Sequence, residues 1–419
     1  MRPSGSSSAA LHPLSPVRVT ALLCIAEILS MTSSVAYPAL LPTLRDAWSI
    51  SNSAAGLISG SYFAGYMVAV PILTSITDRI DARRVYLFAT LLAAVGALGF
   101  GLFARGAASA VLFQVLAGAG LAGTYMPGLR ILSDHIEGRR RNRYIAFYTS
   151  SFGLGTSASL LLTGAVAAAL GWQAAFMLLA LGPALAGVLV ILVLPPAPTR
   201  AVRRQPWLDF RPVLRNGAAT SYIVGYAAHC WELFGLRSWL VAFLAFSASL
   251  QATDASHVWS AAAAAAVINL LGPIASILGN ELAGRGGRRR TIAHIMRGSA
   301  LMALVVGFAA PLPWLVVFAL VSVYFLLVMG DSAALTAGLI AAADPQRRGA
   351  AMALHSFMGF GAGFVAPLVF GAVLDSAGGG ANPIAWGLAF ASLGLGAAVG
   401  PLGFALYERR TRRRHLRAN

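Results

Sequence analysis

Twelve apolar runs, at about 17–42, 52–77, 84–104, 108–136, 144–169, 172–194, 216–247, 256–283, 291–311, 313–342, 349–374 and 382–407, leave this chain few choices of fold. Each reaches the ~20 residues that a helix needs to cross the hydrocarbon core of a bilayer. In that core every peptide N–H and C=O must be bonded within the protein, which a single run achieves only as an α-helix. The pattern predicts an all-α polytopic membrane protein with twelve transmembrane helices, spans 1 to 12. Composition agrees: 58% of the 419 residues are hydrophobic and only 11% are charged, far from a soluble globular domain.

Charge sets the topology. The hairpin Thr77-Asp78-Arg79-Ile80-Asp81-Ala82-Arg83-Arg84 between spans 2 and 3 is so short that its neighbours must be antiparallel. All 31 basic residues are arginine, and 27 of them fall in the amino terminus, the even-to-odd loops and the carboxy terminus. Only Arg45 and Arg105 lie in loops on the other side, and Arg130 and Arg237 lie within spans. Positive charge in short loops is retained inside, so both termini are expected in the cytoplasm of a bacterial plasma (inner) membrane. The net charge of +17 comes in short blocks between spans, without a basic domain or interleaved aromatics, which argues against nucleic acid as a partner. Residues 1–16 are too polar for the apolar part of a cleaved signal. Cys24 and Cys230 both sit in apolar runs, so neither a disulfide framework nor a metal site is expected.

The chain also repeats itself. Arg83-Arg84 recurs as Arg289-Arg290 at an offset of 206, Ser151-Phe152 as Ser356-Phe357 at 205, and Trp172 with Phe176 as Trp386 with Phe390 at 214. The expected organisation is a tail over 1–16, a six-helix half over 17–194, a Pro- and Arg-rich linker over 195–215, a second six-helix half over 216–407 and a basic tail over 408–419.

Gly65-Tyr66 followed by Asp78-Arg79 and Arg83-Arg84 resembles the signature loop of the major facilitator superfamily of membrane transporters, with Thr74 and Asp81 where that loop has glycines. Gly171-Trp172-Gln173-Ala174-Ala175-Phe176 is similar to the family's stretch before helix 6. The resemblance implies two six-helix halves related by a parallel repeat, with spans 1, 4, 7 and 10 around a central cavity. It further implies that Asp78, Arg79 and Asp134, with Arg83, Arg84 and Arg130 nearby, belong to a charge relay locking the halves on the inner side. In the second half Gly284 replaces the relay aspartate. Gln114 stands where proton-driven drug exporters carry an arginine, and neither their helix 5 pair nor a nitrate- or sugar-carrier signature is visible, so the solute stays open.

A charge inside a bilayer costs at least ~2.5 kcal/mol, so each one needs a reason. They are few: Glu27 in span 1, Arg130 in span 4, His229, Glu232 and Arg237 in span 7, Asp331 in span 10 and His355 in span 11. At ~100° per residue His229 and Glu232 share a face, while Arg237 points ~140° away from Glu232. Glu27, Glu232 and Asp331 suit protons or cations, and Arg237 suits a carboxylate or phosphate. The competing reading at each position is an internal pair that neutralises its own charge. Arg130 and Asp134, four apart, are placed to pair. Gly56-x-x-x-Gly60, Gly118-x-Gly120-x-x-Gly123 and Gly359-x-Gly361-x-Gly363 offer close helix approach.

The function expected is a secondary transporter, working as a monomer without a cofactor, that moves a small organic solute by alternating access with protons as the coupling ion. Arg237 tilts the solute toward an anion. The alternative carrier is an efflux protein for hydrophobic or cationic compounds. An enzyme would want a nucleophile or metal constellation, a sensor an output domain, and an ATP-driven pump a Gly-x-x-x-x-Gly-Lys loop, and none of these patterns occurs in the sequence.

Overall fold

The computed structural model describes residues 15–77, 79–136, 141–196, 209–251 and 260–418. Asp78, Arg139, Arg140, most of the expected linker and nearly all of the amino-terminal tail lie outside the described residues. Eleven helices are long and apolar enough to cross a membrane: Asn52–Ile76, Ala82–Phe103, Ala107–His135, Arg143–Leu170, Trp172–Val193, Gly217–Ser249, Ala261–Gly286, Arg288–Phe308, Trp314–Ala342, Pro345–Ser376 and Pro383–Arg413. These are spans 2 to 12. Span 1 is divided into helices Pro16–Ser30 and Ala36–Trp48, and with it the count is twelve.

Local chemistry explains where the helices begin and break. Ser51, Asn216 and Ser260 each accept a hydrogen bond from the N–H three residues on, at 3.1, 3.1 and 3.2 Å, which satisfies one of the donors that a helix start leaves orphaned. Span 1, expected to run unbroken, breaks at Met31 to Val35 because its hydroxyls compete with the helix. Ser30, Thr32 and Ser34 donate to the carbonyls of Glu27, Leu29 and Met31 at 2.9, 3.0 and 2.8 Å, an alternative to the i−4 ladder. Thr32 also lies 3.0 Å from the Leu179 carbonyl at the bend in span 6, so the two irregular places pack together. Spans 4 and 10 break at Gly123-Thr124 and at Gly330-Asp331. Beyond span 12 the arginine-rich end, expected as a tail from 408, continues as a helix to Ala418, since it holds helix-forming arginines and no breaker.

Spans 1–6 and 7–12 meet across a seam of small residues. Span 2 lies so close to span 11 that a Cβ on Gly56 or Gly60 would run into the carbonyl of Pro367 or Phe364, and one on Gly371 into that of Asn52. Tyr66 stacks on Phe360 with ring centroids 3.8 Å apart near the middle of the same pair. Span 5 touches span 8 where Gly153 meets Pro273 and Gly164 meets Ala262. The helix Ala36–Trp48 packs against span 7. All of these contacts run from mid-depth to the arginine-poor end, where span 2 begins and span 11 finishes. Leu192, Leu315 and Leu395 are 76%, 74% and 74% exposed on the outside of the bundle, a surface that only lipid would cover favourably.

Candidate functional site

Between the halves lies a cavity lined by residues of both. The broken region of span 1 gives it Met31, Ser34, Val35 and Pro38; span 2 gives Ser59, Tyr62 and Phe63; spans 4 and 5 give Gln114, Leu121, Phe152 and Thr156. Span 7 supplies the opposite wall with Phe234, Arg237 and Ser238. Phe63 and Phe234 bring the two halves together, with ring centroids 4.1 Å apart.

Arg237 is the cationic group of this cavity. Its Nε donates to Asn269 Oδ1 of span 8 at 3.0 Å, and its guanidinium carbon stands 5.7 Å from the centre of the Phe325 ring. Both partners are neutral, and among the described residues no carboxylate pairs with it. Gln114 of span 4 is buried in the facing wall. Of the residues expected at a substrate or proton site, these two line the cavity and the others do not.

Glu232 turns instead into the packing of the second half. Tyr324 donates to its Oε1 at 3.0 Å, and Ser299 Oγ lies 2.8 Å from its Oε2. The wide angle between Glu232 and Arg237 along span 7 sends the two side chains to different neighbours, so the carboxylate does not sit in the arginine's field. His229, on the same side as Glu232, brings its Nδ1 to 2.6 Å from Asp331 Oδ1, within ion-pair range though off the line of a good hydrogen bond. Asp331 occupies the break in span 10. Tyr226 stacks on His355, centroids 3.6 Å apart, and Thr336 Oγ1 is 3.5 Å from His355 Nε2. The second half thus holds a buried polar cluster behind the cavity wall.

Glu27 is fully buried in the first half, with Tyr148 of span 5 at 3.0 Å from Oε2. The Tyr148 hydroxyl is also 3.2 Å from the Tyr125 carbonyl and 3.4 Å from that of Thr124, which the break in span 4 leaves available. Glu27 and Glu232 stand 205 residues apart, the same offset that relates Ser151-Phe152 to Ser356-Phe357. The repeat offset was therefore enough to link the two carboxyls, a signal the span-by-span reading passes over.

Three members of the expected charge relay, Arg83, Arg130 and Asp134, make bonds within the first half. Arg83 pairs with Asp81 at 2.6 Å and donates to the Leu194 carbonyl at the end of span 6. Burial would raise the Asp81 carboxyl, but the hydrogen bonds from Arg83 and the charges of Arg83 and Arg84 outweigh it and hold Asp81 below the usual carboxylate range. Arg130 donates to Thr77 Oγ1 at 3.2 Å and lies 3.7 Å from Asp134, as its spacing suggests. Arg79 and Arg84 are exposed on the same hairpin.

A cross-half group that the sequence did not flag is Asp375, one residue beyond the expected end of span 11. Its Oδ1 accepts from Asn52 N and Nδ2 at 3.0 and 2.8 Å, and its Oδ2 from Ser53 N and Oγ at 2.7 and 2.6 Å. A carboxylate of the second half thereby caps the first turn of span 2.

The family model described as Major Facilitator Superfamily matches residues 23–401. Among solved structures, a bacterial homolog of the human lysosomal transporter Spinster, in an inward-facing and occupied conformation, superposes with a TM-score of 0.77 at 17% identity over 94% of this chain and 97% of that one. The nucleoside transporter NupG gives 0.71 at 16% over 93% and 99%. These likenesses show the fold. Protein spinster homolog 1 of Bos taurus is 23% identical over 238 residues, 54% of this chain and 45% of its own length. The putative niacin/nicotinamide transporter NiaP of Bacillus subtilis is 25% identical over 134 residues, 32% of this chain and 31% of its own. The chain spans less than half the length of these curated relatives.

Proposed function

The chain belongs to the Major Facilitator Superfamily, and on that premise we propose that it is a secondary transporter that moves a small anionic organic solute across the plasma membrane by alternating access, coupled to protons. The observation that carries this reading is the arrangement of the halves: they meet at one end only in the contacts described, and a cavity lined by both lies beside that seam. With the arginine-rich loops in the cytoplasm, the sealed end faces outward and the cavity belongs to an inward-facing state. Rocking of one half against the other then exposes the cavity to the opposite side. Arg237 and Gln114 are the groups for the solute. A cation beside an arginine without a carboxylate partner meets repulsion, which disfavours the reading as an exporter of cationic compounds. One of the relatives is, by its name, a putative transporter of niacin or nicotinamide, which fits a small organic solute.

Glu232 and Glu27 are the proton sites of this scheme, with the His229–Asp331 pair as a further exchanging group. None of them lines the cavity, so protonation acts on the solute through helix packing and not by direct contact. On the cytoplasmic side Asp78, Arg79, Arg83, Arg84, Arg130 and Asp134 form the lock that closes when the outer end opens. The test is flux in proteoliposomes containing the purified protein, with counterflow of labelled organic anions and accumulation under an imposed pH gradient. Saturable counterflow that an opposing cation does not support is the expected result. A panel of anions, neutral compounds and cations that all fail to exchange would overturn the carrier reading. Reporter fusions at Asn419 check the orientation, and a carboxy terminus found outside would reverse the assignment of the sealed end.

A further inference from the structure

We propose that the cavity is built for a compact monovalent carboxylate with an apolar, preferably flat, body, and that Arg237, Ser238 and Ser59 hold its carboxylate across the two halves. This rests on the carrier reading and narrows it to a substrate class. An unpaired charge within a membrane bundle is expensive unless something neutralises it. Arg237 has its Nε committed to Asn269 and one face toward Phe325, which fixes the guanidinium plane. Among the described residues nothing bonds its two terminal nitrogens, the fork that matches a carboxylate.

A second, independent observation points to the same ligand. Ser59 and Ser238 are lining residues of the cavity, 2% and 1% exposed, and their buried hydroxyls have no hydrogen-bond partner. A buried hydroxyl left unmade is costly, and native proteins rarely keep two beside one cavity without a use for them. Both are donors, as is the arginine fork, and a carboxylate offers two oxygens with lone pairs enough for all of them. The charge count sets the valence: one cation in the wall balances one negative charge, and a phosphate dianion would leave one unbalanced. Besides Ser34, Tyr62, Gln114 and Thr156 the rest of the wall is apolar and partly aromatic, with Phe63 and Phe234 4.1 Å apart and tilted by 31°, and Met31 and Phe152 in the same lining. That part of the surface accepts a ring or a branched hydrocarbon. Because Ser59 belongs to span 2 while Arg237 and Ser238 belong to span 7, a carboxylate bonded to all three ties the halves together, so occupancy favours the closed seam.

Calorimetric titration of the purified full-length protein with benzoate, benzamide, benzylamine and phenyl phosphate separates the possibilities, because the four share one ring and differ in charge. Benzoate is expected to bind about 10- to 100-fold more tightly than benzamide, the value of one charge-assisted contact, and benzylamine and phenyl phosphate more weakly still. Arg237→Gln should abolish the preference for benzoate over benzamide, and Arg237→Lys should keep part of it. Ser59→Ala and Ser238→Ala remove only an unpartnered hydroxyl, so they should fold as the parent does and weaken benzoate roughly threefold or more each. Binding of none of the four, equal binding of benzoate and benzamide, or an unchanged preference in Arg237→Gln overturns the proposal. The carrier reading is tested apart from it: benzoate binding without counterflow in proteoliposomes leaves the site standing and removes the carrier. Counterflow of a neutral or cationic solute without benzoate binding does the reverse.

Discussion

Ser299 carries one proton and faces two acceptors, Glu232 Oε2 at 2.8 Å and the Met296 carbonyl at 3.0 Å. With Glu232 ionised, the serine gives its proton to the carboxylate; with Glu232 protonated, the carboxyl donates to the serine, which then turns to Met296. The two protonation states therefore have two distinct hydrogen-bond networks linking spans 7, 9 and 10, and a network with two discrete arrangements is what coupling requires. Glu232→Gln fixes the neutral arrangement. In proteoliposomes it should lose accumulation driven by a pH gradient while keeping solute exchange; continued accumulation would move the coupling site to Glu27 or Asp331. Asp81 offers a test of a purely structural carboxylate. Held below its ordinary value, it stabilises the fold above about pH 4, the unfolded range for Asp, and that contribution is lost as pH falls through the lower folded value. Asn caps a helix nearly as well as Asp, so Asp81→Asn removes the Arg83 pair alone. Since that pair is partly exposed, the loss should be no more than ~1 kcal/mol at pH 7. Thermal melts in detergent should show parent and mutant converging at acid pH, and a gap that persists there would refute the assignment.

The helices themselves were legible because a bilayer admits one solution for a 20-residue apolar run, and the termini of most spans fall within a few residues of where hydropathy puts them. Their breaks were not, because Ser30, Thr32 and Ser34 disrupt a helix only where the surroundings reward it, here through the Leu179 carbonyl of span 6. The small-residue seam was half legible. Gly56-x-x-x-Gly60 announces a close approach, yet nothing in the spacing says that the partner is span 11 of the other half. Its importance to the closed state can be measured. A Cβ at Gly60 meets the Phe364 carbonyl, a backbone atom that cannot rotate aside, and overpacking of this kind costs about 1–3 kcal/mol. Only the closed seam bears that strain, so Gly60→Ala should move the balance toward separation by roughly 5- to 150-fold. A cysteine placed at Ser61, buried at this depth of span 2, should react faster with a membrane-impermeant maleimide applied from the arginine-poor side. Unchanged labelling would mean that the two spans stay together throughout the cycle.

Alternating access asks for contacts strong enough to hold one end shut and weak enough to release, and Asp375 is built to that specification. Its four hydrogen bonds join the start of span 2 to the end of span 11, at the sealed end of the seam and far from the carboxyls buried in each half. The sequence hid it for a physical reason: a carboxylate at a span terminus is unremarkable alone, and its partners are 322 and 323 residues away along the chain. All four donors belong to two consecutive residues of one helical turn, two of them backbone N–H groups of a helix start, where a negative charge is favoured both as a cap and by the helix dipole. Asp375→Asn keeps the shape but removes the charge and turns an amide NH₂ toward groups that are themselves donors, so at least two of the bonds cannot form. At about 1 kcal/mol for the cap and a similar amount for the charge, closure should weaken by roughly 30-fold. Spin labels placed in the loops joining spans 1 to 2 and 11 to 12 should then report a longer mean distance without ligand, while melting in detergent changes little, because the capping partner belongs to the other half and not to the packing of either. Solute binding should also weaken in proportion, since a ligand that favours the closed seam must now restore it. A distance distribution identical to that of the parent would assign closure to the glycine seam alone and leave Asp375 as a surface contact.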